Sequence, residues 1–290
     1  MDPQTANLAI DFDRDIREAV LQALPHDPAR TAELQAMSFS DLLVTYINWR
    51  NRLISPRCRE ICMSSEFQRT RYGSIQRTPA LEHIIEALKT GGDVTPHLST
   101  RVTAGFDVSA SAKLNQRQDL DLLLNDWNVH HLHLSTTMQP NGFVKRTGPL
   151  LFAVVGSTKA LLIDILDHKS WSREHIAHVI INNWPNANFV HHLPNVVWGL
   201  AISEAECQQL RNAGIHSGFI EHKDKYYLIG MGGLSSAGTS IQHTKAHGRH
   251  PPWSSRIRAP REGAPGLHQR DAAVEQQSGA REPRCTLHHP

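Results

Sequence analysis

The chain has 290 residues, 40% of them apolar, and a formal net charge of +2 at pH 7 with neutral histidines. A chain of this length and composition can bury a sizeable core and can hold two ordinary domains. The small net charge excludes a strongly basic or strongly acidic protein, so charge alone selects neither nucleic acid nor a membrane as the partner.

The cysteines and the apolar runs indicate in which cellular compartment the protein is expected. The four cysteines are scattered, and nothing near Met1 has the basic and apolar regions of a signal peptide. The longest clean apolar runs, residues 150–155 and 160–166, are far shorter than the roughly 20 residues that cross a bilayer. We therefore expect a soluble, cytoplasmic protein with reduced thiols and no membrane partner.

The first 119 residues predict a helical region with three main helices. Apolar residues recur at helical spacing over residues 11–24, and a second helix begins after Ser38, a capping residue. A third helix begins at Thr78-Pro79, where threonine caps the helix and proline suits its first turn, and glycines end it at residues 91–92. We place the domain boundary near residue 120, where the helical pattern gives way to strands.

An arginine-rich segment follows the second helix. Seven arginines lie between residues 50 and 77, interleaved with Phe67 and Tyr72. One interpretation is a phosphate-binding patch with stacking aromatic rings. Glu60 and Glu66 interrupt the run, so the other interpretation is a solvated connector between structural elements.

Residues 120–238 predict an α+β sheet domain. The apolar runs 150–155 and 160–166 are joined by a glycine-containing turn, which is typical of a β-hairpin at the centre of a sheet. Further strands are expected at residues 129–136, 195–202 and 225–230. We expect a mixed or antiparallel sheet with helices mainly on one face.

Two helices are predicted between these strands. One begins after Ser172, and places His175 and His178 three residues apart, near one face. The other begins at Ser203, which forms a capping box with Glu206. The composition then changes from about residue 239. Residues 244–290 lack apolar runs and cannot pack a core, so residues 239–290 are expected to be a disordered tail or an aberrant, frameshifted sequence.

The candidate site is built on the strand expected at residues 129–136. The two-residue period of a strand puts Leu132 and Leu134 on one face and His131 and His133 on the other. One face would be core, and the other would carry a row of groups that transfer protons.

Arg146, Asp164 and His168 are expected to join this row from the adjoining loop and hairpin. Asp164 interrupts an apolar run, so its carboxylate should face the open side of the sheet or a cationic partner, such as Arg146 or a strand histidine. One imidazole can take the 2′-hydroxyl proton of RNA, another can protonate the leaving oxygen, and arginine can stabilise the phosphorane. His131, His133, Arg146, Asp164 and His168 therefore predict a metal-independent phosphodiester hydrolase with RNA or DNA as its partner.

Two resemblances accompany this hypothesis. The second half is similar in general design to the small α+β toxin ribonucleases, which carry a histidine- or arginine-bearing sheet beside helices. The segment His133-Leu134-Ser135 resembles the His-x-Ser/Thr element of two-histidine phosphoesterases. That family has a second such element on a facing strand, and the nearest segment here is residues 168–170.

The same residues allow two other interpretations. His131 and His133 could bind one metal ion together with Asp164 or His168, although no His-x₃-His or Cys-x₂-Cys spacing around them supports a metal. Alternatively, the histidines are structural, and the protein is a non-enzymatic module that binds nucleic acid or protein through the arginines of residues 50–77. The sequence predicts no cofactor and does not define the oligomeric state.

Overall fold

The computed structural model describes residues 11–72, 78–107, 114–167, 174–194, 196, 203–213, 215, 219–230, 233–235 and 237–243. These residues form helices and mixed and antiparallel sheets, so the predicted α+β class is confirmed. The α-helices are α1 (Phe12–Ala23), α2 (Thr31–Ala36), α3 (Phe39–Asn51), α4 (Pro79–Thr90), α5 (Leu122–Trp127), α6 (Glu174–Asn183) and α7 (Glu204–Asn212). Short 3-10 helices span Pro28–Arg30, Thr95–His97, Thr100–Thr103 and Leu114–Gln116, and a π-helix spans Phe67–Tyr72.

Capping residues predicted from the sequence make hydrogen bonds at the starts of two N-terminal helices. The Ser38 hydroxyl accepts the Asp41 backbone N–H at the start of α3, and the Thr78 hydroxyl accepts the Leu81 N–H at the start of α4. Gly91 ends α4 at φ +88°, a left-handed conformation that glycine adopts without strain. The predicted caps at Ser38 and Thr78 are therefore confirmed, whereas Ser172, expected to begin a later helix, lies outside the described residues.

The central sheet has the strand order β1-β4-β3-β2. Its strands are β1 (Glu60–Met63), β2 (His130–His133), β3 (Pro149–Val155) and β4 (Lys159–Asp167). The antiparallel β3–β4 pair is the predicted hairpin. β2 pairs antiparallel with β3 and is shorter than the strand expected at residues 129–136, whereas β1 pairs parallel with β4.

β1 corrects the prediction for residues 1–119, because a strand lies in a region expected to contain only helices and connectors. Its side chains alternate between the two faces of the sheet. Ile61 and Met63 pack against the apolar cluster that contains α4, and Cys62 packs against the cluster that contains α6. The arginine-rich connector therefore includes an edge strand of the main sheet.

Both faces of this sheet are covered, which differs from the expectation of helices mainly on one face. Leu151 and Leu162 pack with α4, while Phe152 and Ile163 pack with α6 on the opposite face. The physical reason is the nearly continuous apolar sequence of β3 and β4. A strand that is apolar on both sides needs cover on both sides.

A second, smaller sheet has the order β5-β7-β6, with β5 (Val190–Leu193), β6 (Ile220–His222) and β7 (Lys225–Ile229). β7 confirms the strand expected at residues 225–230, whereas the strand expected at residues 195–202 lies outside the described residues apart from residue 196. Lys223 and Asp224 join β6 to β7 with φ of 52° and 58°, as in a type I′ turn. This tight turn holds His222 at the end of β6.

Polar bonds link the two sides of residue 120. Asn125 on α5 donates to Asn48 Oδ1 on α3 at 3.0 Å, and His97 Nδ1–H donates to the His133 carbonyl at 2.9 Å. The division into domains near residue 120 stays a prediction. Ser240 and His243 are buried, so packed structure continues beyond residue 239, where the tail was expected to begin. Residues 244–290 lie outside the described part of the chain.

Among the described residues, no helix has the length and apolar character needed to span a membrane.

Candidate functional site

The two strand histidines are buried rather than aligned along an open face. His131 and His133 are 7% and 2% exposed. The expected alternation is present, because Leu132 packs with the α4 cluster, while His131 and His133 lie in register with Phe152 and Leu150, residues of the α6 cluster. The period of the strand was predicted, but the cover over the histidine face was not.

Local contacts fix both rings inside the protein. His133 Nδ1 accepts the Thr147 backbone N–H at 3.4 Å, and His131 Nδ1 lies 3.5 Å from a carboxylate oxygen of Asp121. The small cavity that His131 lines with Asp121 and neighbouring residues has a volume of about 10 Å³. Such a space holds about one water molecule, so a phosphodiester has no room there.

One of the other predicted site residues, Asp164, lies apart from His131. Phe152 pairs with His131 on one side and with Asp164 on the other, so two strand spacings, about 10 Å, separate His131 from Asp164. Arg146 is exposed in the loop before β3. His168 lies outside the described residues, so the structure says nothing of its position. The joint site of five residues stays a prediction.

A metal centre finds no support in the described ranges. No group of three or more histidine, cysteine, aspartate or glutamate side chains there is placed to hold a metal ion.

A different group of histidines lies on the outer side of α6, where His175 is exposed and His178 is half-buried. His175, His178 and Asn182 follow one another at helical spacing of three and four residues, which places them along one stripe of the helix. The opposite stripe is buried against the sheet and consists of Ile176, Ala177, Val179, Ile180 and Ile181. The amphipathic pattern of α6 therefore turns its polar stripe outward.

Asp164 orients the first of these histidines. Its Oδ2 lies 3.0 Å from His175 Nε2, and its Oδ1 accepts the Ile165 backbone N–H at 2.8 Å. The carboxylate side chain is 6% exposed, and the imidazole is 43% exposed. A buried carboxylate thus holds an imidazole that reaches solvent. The expected partners of Asp164 were Arg146 or a strand histidine, and the structure adds His175 on α6, which pairs with the carboxylate as a cation when its imidazole is protonated.

His222 at the end of β6 lies beside the second histidine of α6. The ring centroids of His178 and His222 are 4.9 Å apart. His178 Nε2–H donates to the Glu221 carbonyl at 3.1 Å, and His222 Nε2–H donates to Asn182 Oδ1 at 2.8 Å. A neutral imidazole that donates through Nε2 keeps Nδ1 as its proton acceptor. We call His175, His178, His222, Lys223 and Asp164 the α6 histidine site.

Charge and burial set the protonation of His222. Partial burial, followed by the neighbouring His178 and Lys223, lowers the pKa of His222 below its ordinary value. Lys223 Nζ donates to Asn182 Oδ1 at 3.0 Å, which holds its ammonium group beside the imidazole. His222 is therefore a neutral base near pH 7, next to a fixed cation.

Only part of this site could be predicted from the sequence. The three-residue spacing of His175 and His178 indicated that they share a helix face, and Asp164 was expected to need a cationic partner. Nothing in the sequence indicated that His222 and Lys223 belong to the site, because their approach to α6 depends on the packing of the second sheet. No pattern within the sequence reports that contact.

The arginine-rich segment is mainly structural where it is buried. Arg52 and Arg59 are 3% and 7% exposed, and their guanidinium groups donate to main-chain carbonyls. Arg50, Arg57 and Arg69 are exposed. Arg77 and the side chain of Arg71 lie outside the described residues.

A cavity of about 740 Å³ lies between the β3–β4 turn and the segment that follows α6. Asparagine and glutamine side chains dominate its polar lining, together with Ser157, Thr158 and Lys159. Trp184 contributes an aromatic ring to the wall. The cavity is separate from the buried strand histidines.

No protein-family model, curated protein or solved structure matches this chain. A functional assignment therefore depends on the geometry of the described residues.

Proposed function

We propose that the protein is a metal-independent phosphodiester hydrolase that cleaves RNA at the α6 histidine site. The observation that carries this proposal is the approach of His178 and His222, both half-buried, to 4.9 Å beside the exposed Lys223. Asp164 orients a third imidazole, His175, on the same helix. The reaction is the one that the sequence predicted. Of the site residues expected then, Asp164 is retained.

Each group has a distinct role in the proposed reaction. The neutral His222 takes the proton of the ribose 2′-hydroxyl, and the 2′-oxygen attacks the adjacent phosphorus. The bond from phosphorus to the 5′-oxygen breaks, and protonated His175 gives its proton to that leaving oxygen. The products are a 2′,3′-cyclic phosphate and a 5′-hydroxyl. Acid and base groups of this kind each accelerate a reaction about 10²–10⁴-fold.

The remaining groups stabilise charge. Asp164 holds His175 and stabilises the positive charge of its imidazolium, as carboxylates do beside catalytic histidines. The Lys223 ammonium group, beside His222, can donate to the phosphate oxygens, and electrostatic stabilisation of the developing charge lowers the barrier. The exposure of His175 gives an RNA strand access that the buried strand histidines lack.

The test is cleavage of end-labelled mixed-sequence RNA in the presence of EDTA. His175→Asn and His222→Asn should each lower the rate about 100-fold or more, because asparagine cannot titrate. His191→Asn, at an exposed position on β5, is the matched control and should retain full activity. RNA with 2′-O-methyl groups should not be cut, because it lacks the nucleophile.

Three results would contradict the proposal. These are the absence of cleavage by the unaltered protein, cleavage that requires a divalent cation, and equal rates for the two site variants and the control. Loss of activity in His131→Asn alone would instead favour the strand site that the sequence predicted.

The second candidate function is a non-enzymatic module that binds nucleic acid or protein. The exposure of Arg50, Arg57 and Arg69 favours it, because exposed arginines bind phosphate oxygens. Under this alternative, Arg57→Glu and Arg69→Glu should weaken RNA binding and reduce its dependence on salt. Binding that is unchanged by both substitutions would exclude these arginines as the contact surface.

A further inference from the structure

We infer that the cavity between the β3–β4 turn and the segment after α6 is a binding site for a nucleoside. This site is distinct from the α6 histidine site. Its volume of about 740 Å³ falls within the range of about 300–1,000 Å³ that is usual for small-molecule sites.

Carboxamide groups dominate the polar lining of this cavity. They come from four separate parts of the chain and belong to Asn51, Asn128, Asn183, Asn186, Asn188 and Gln242. The Asn183 carboxamide bonds to Ser65, Glu66 and Val179, so it supports the wall rather than binding the ligand. A carboxamide presents a donor and an acceptor side by side, which matches the edge of a nucleobase. Such a lining recognises an uncharged ring with alternating donors and acceptors.

Titratable groups are nearly absent from the lining. Of the described residues that line the cavity, Lys159 alone carries a titratable side chain, and none is a carboxylate, an imidazole or a thiol. The cavity therefore lacks the groups of an acid–base site and is suited to binding. A lining without carboxylates also does not repel a ligand that bears a phosphate.

The remaining lining residues fit the other parts of a nucleoside. Trp184 is half-buried and packs on the core, and bases stack on rings placed in this way. Ser157 and Thr158 bring hydroxyl groups to the β3–β4 turn, near Lys159. Lys159 pairs with Glu60 at 3.0 Å, but both side chains are more than half exposed, and such pairs contribute little. The ammonium group can therefore exchange this partner for a phosphate.

The walls of the cavity are held in place before a ligand binds. Asn183 accepts the Ser65 backbone N–H and donates to the Glu66 carboxylate, at 2.8 and 2.7 Å. Arg59 donates from Nε to the Gly156 carbonyl at 2.8 Å, which fixes the β3–β4 turn. A pre-formed site of this kind loses less conformational entropy on binding.

The experiment uses the full chain with the four ribonucleosides, their 5′-monophosphates and a tetranucleotide as ligands. Binding is measured by calorimetry and by the NMR signals of the asparagine and glutamine NH₂ groups. Asn186→Ala combined with Asn188→Ala should weaken binding about tenfold, since the variant loses hydrogen bonds to the base. Gln139→Ala, an exposed carboxamide outside the cavity, is the matched control and should bind like the parent. Tighter binding of the tetranucleotide than of a monophosphate identifies an RNA strand as the source of the nucleoside, and equal binding identifies a free nucleotide.

The outcomes separate this site from the proposed catalytic site. Binding that persists in His222→Asn, with loss in the double asparagine variant, supports the cavity whether or not RNA is cleaved. The inference is overturned if no nucleoside binds at millimolar concentration, if the double variant binds like the control, or if a monosaccharide binds in place of nucleosides.

Discussion

Replacing Arg52 with methionine should destabilise the fold by about 3 kcal/mol. Nη1 of Arg52 donates to the carbonyls of Arg101 and Gln118 at 2.7 and 3.2 Å, and Nη2 donates to that of Ala104 at 2.7 Å. Hydrogen bonds to a charged group contribute about 1.5–3 kcal/mol each, so the three give about 4.5–9 kcal/mol before desolvation.

Desolvation offsets part of this gain. Burial lowers the pKa of Arg52 from 12.5 to about 10, which corresponds to about 3.4 kcal/mol against the charged form at about 1.36 kcal/mol per pH unit. The net contribution is then about 1–6 kcal/mol, with about 3 kcal/mol as the middle value. Methionine keeps the apolar stem and leaves three main-chain carbonyls without their donor.

The assay is urea unfolding followed by circular dichroism at pH 7, with the free energy of unfolding compared between variants. Arg50→Met is the matched control, because Arg50 lies two residues earlier, on α3, and is exposed. Its guanidinium group lies 5.7 Å from the centre of the Trp49 ring, a cation–π contact. The control should change stability by about 1 kcal/mol or less. If Arg52→Met were no more costly than the control, Arg52 would not anchor the loops and would be available for phosphate binding.

Three further predictions concern stability. His133→Ala should lower the free energy of unfolding by about 2–4 kcal/mol, close to the effect of Leu132→Ala, because the His133 ring is buried. A decrease below about 0.5 kcal/mol in urea unfolding is typical of an exposed residue and would contradict this prediction. Burial lowers the pKa of His130 from 6.5 to about 4 in the folded protein. As the pH falls, His130 is therefore protonated in the unfolded chain before it is protonated in the folded one, and the free energy of unfolding should decrease by up to about 3 kcal/mol between pH 6.5 and 4. His130→Gln should flatten that fall in unfolding measured across this pH range, and an unchanged slope would refute the assignment. A fragment of residues 120–238 should lose cooperative unfolding, because it lacks β1 and α4, which cover one face of the sheet; a sharp calorimetric transition would support the predicted domain boundary.

Features that depend on neighbouring residues could be predicted from the sequence. The helix caps at Ser38, Thr78 and Ser203 are confirmed, because each capping residue bonds to a backbone N–H three residues later. The β3–β4 hairpin is confirmed for the same reason, since its strands and turn are contiguous. β1 was missed because its partner strand is distant in sequence, and because arginines flank its few apolar residues.

The candidate site shows the same limit. Strand alternation correctly placed His131 and His133 on one face, but the cover over that face comes from elements elsewhere in the chain. Asp164 was expected to need a cationic partner, and the choice of His175 depends on how α6 packs on β4. The contact of His178 with His222 depends on how α6 packs beside β6 of the second sheet.

The parallel pairing of β1 with β4 has a consequence for synthesis on the ribosome. Cys62 pairs with Leu161, so roughly 100 residues are added after β1 before its partner emerges. At about 5–20 residues per second, this interval is roughly 5–20 s. Throughout it, the open edge of β1 and the apolar face of α4 are available to other chains, and an unpaired edge promotes aggregation. We expect the nascent chain to depend most on chaperones between the emergence of residues 63 and 167.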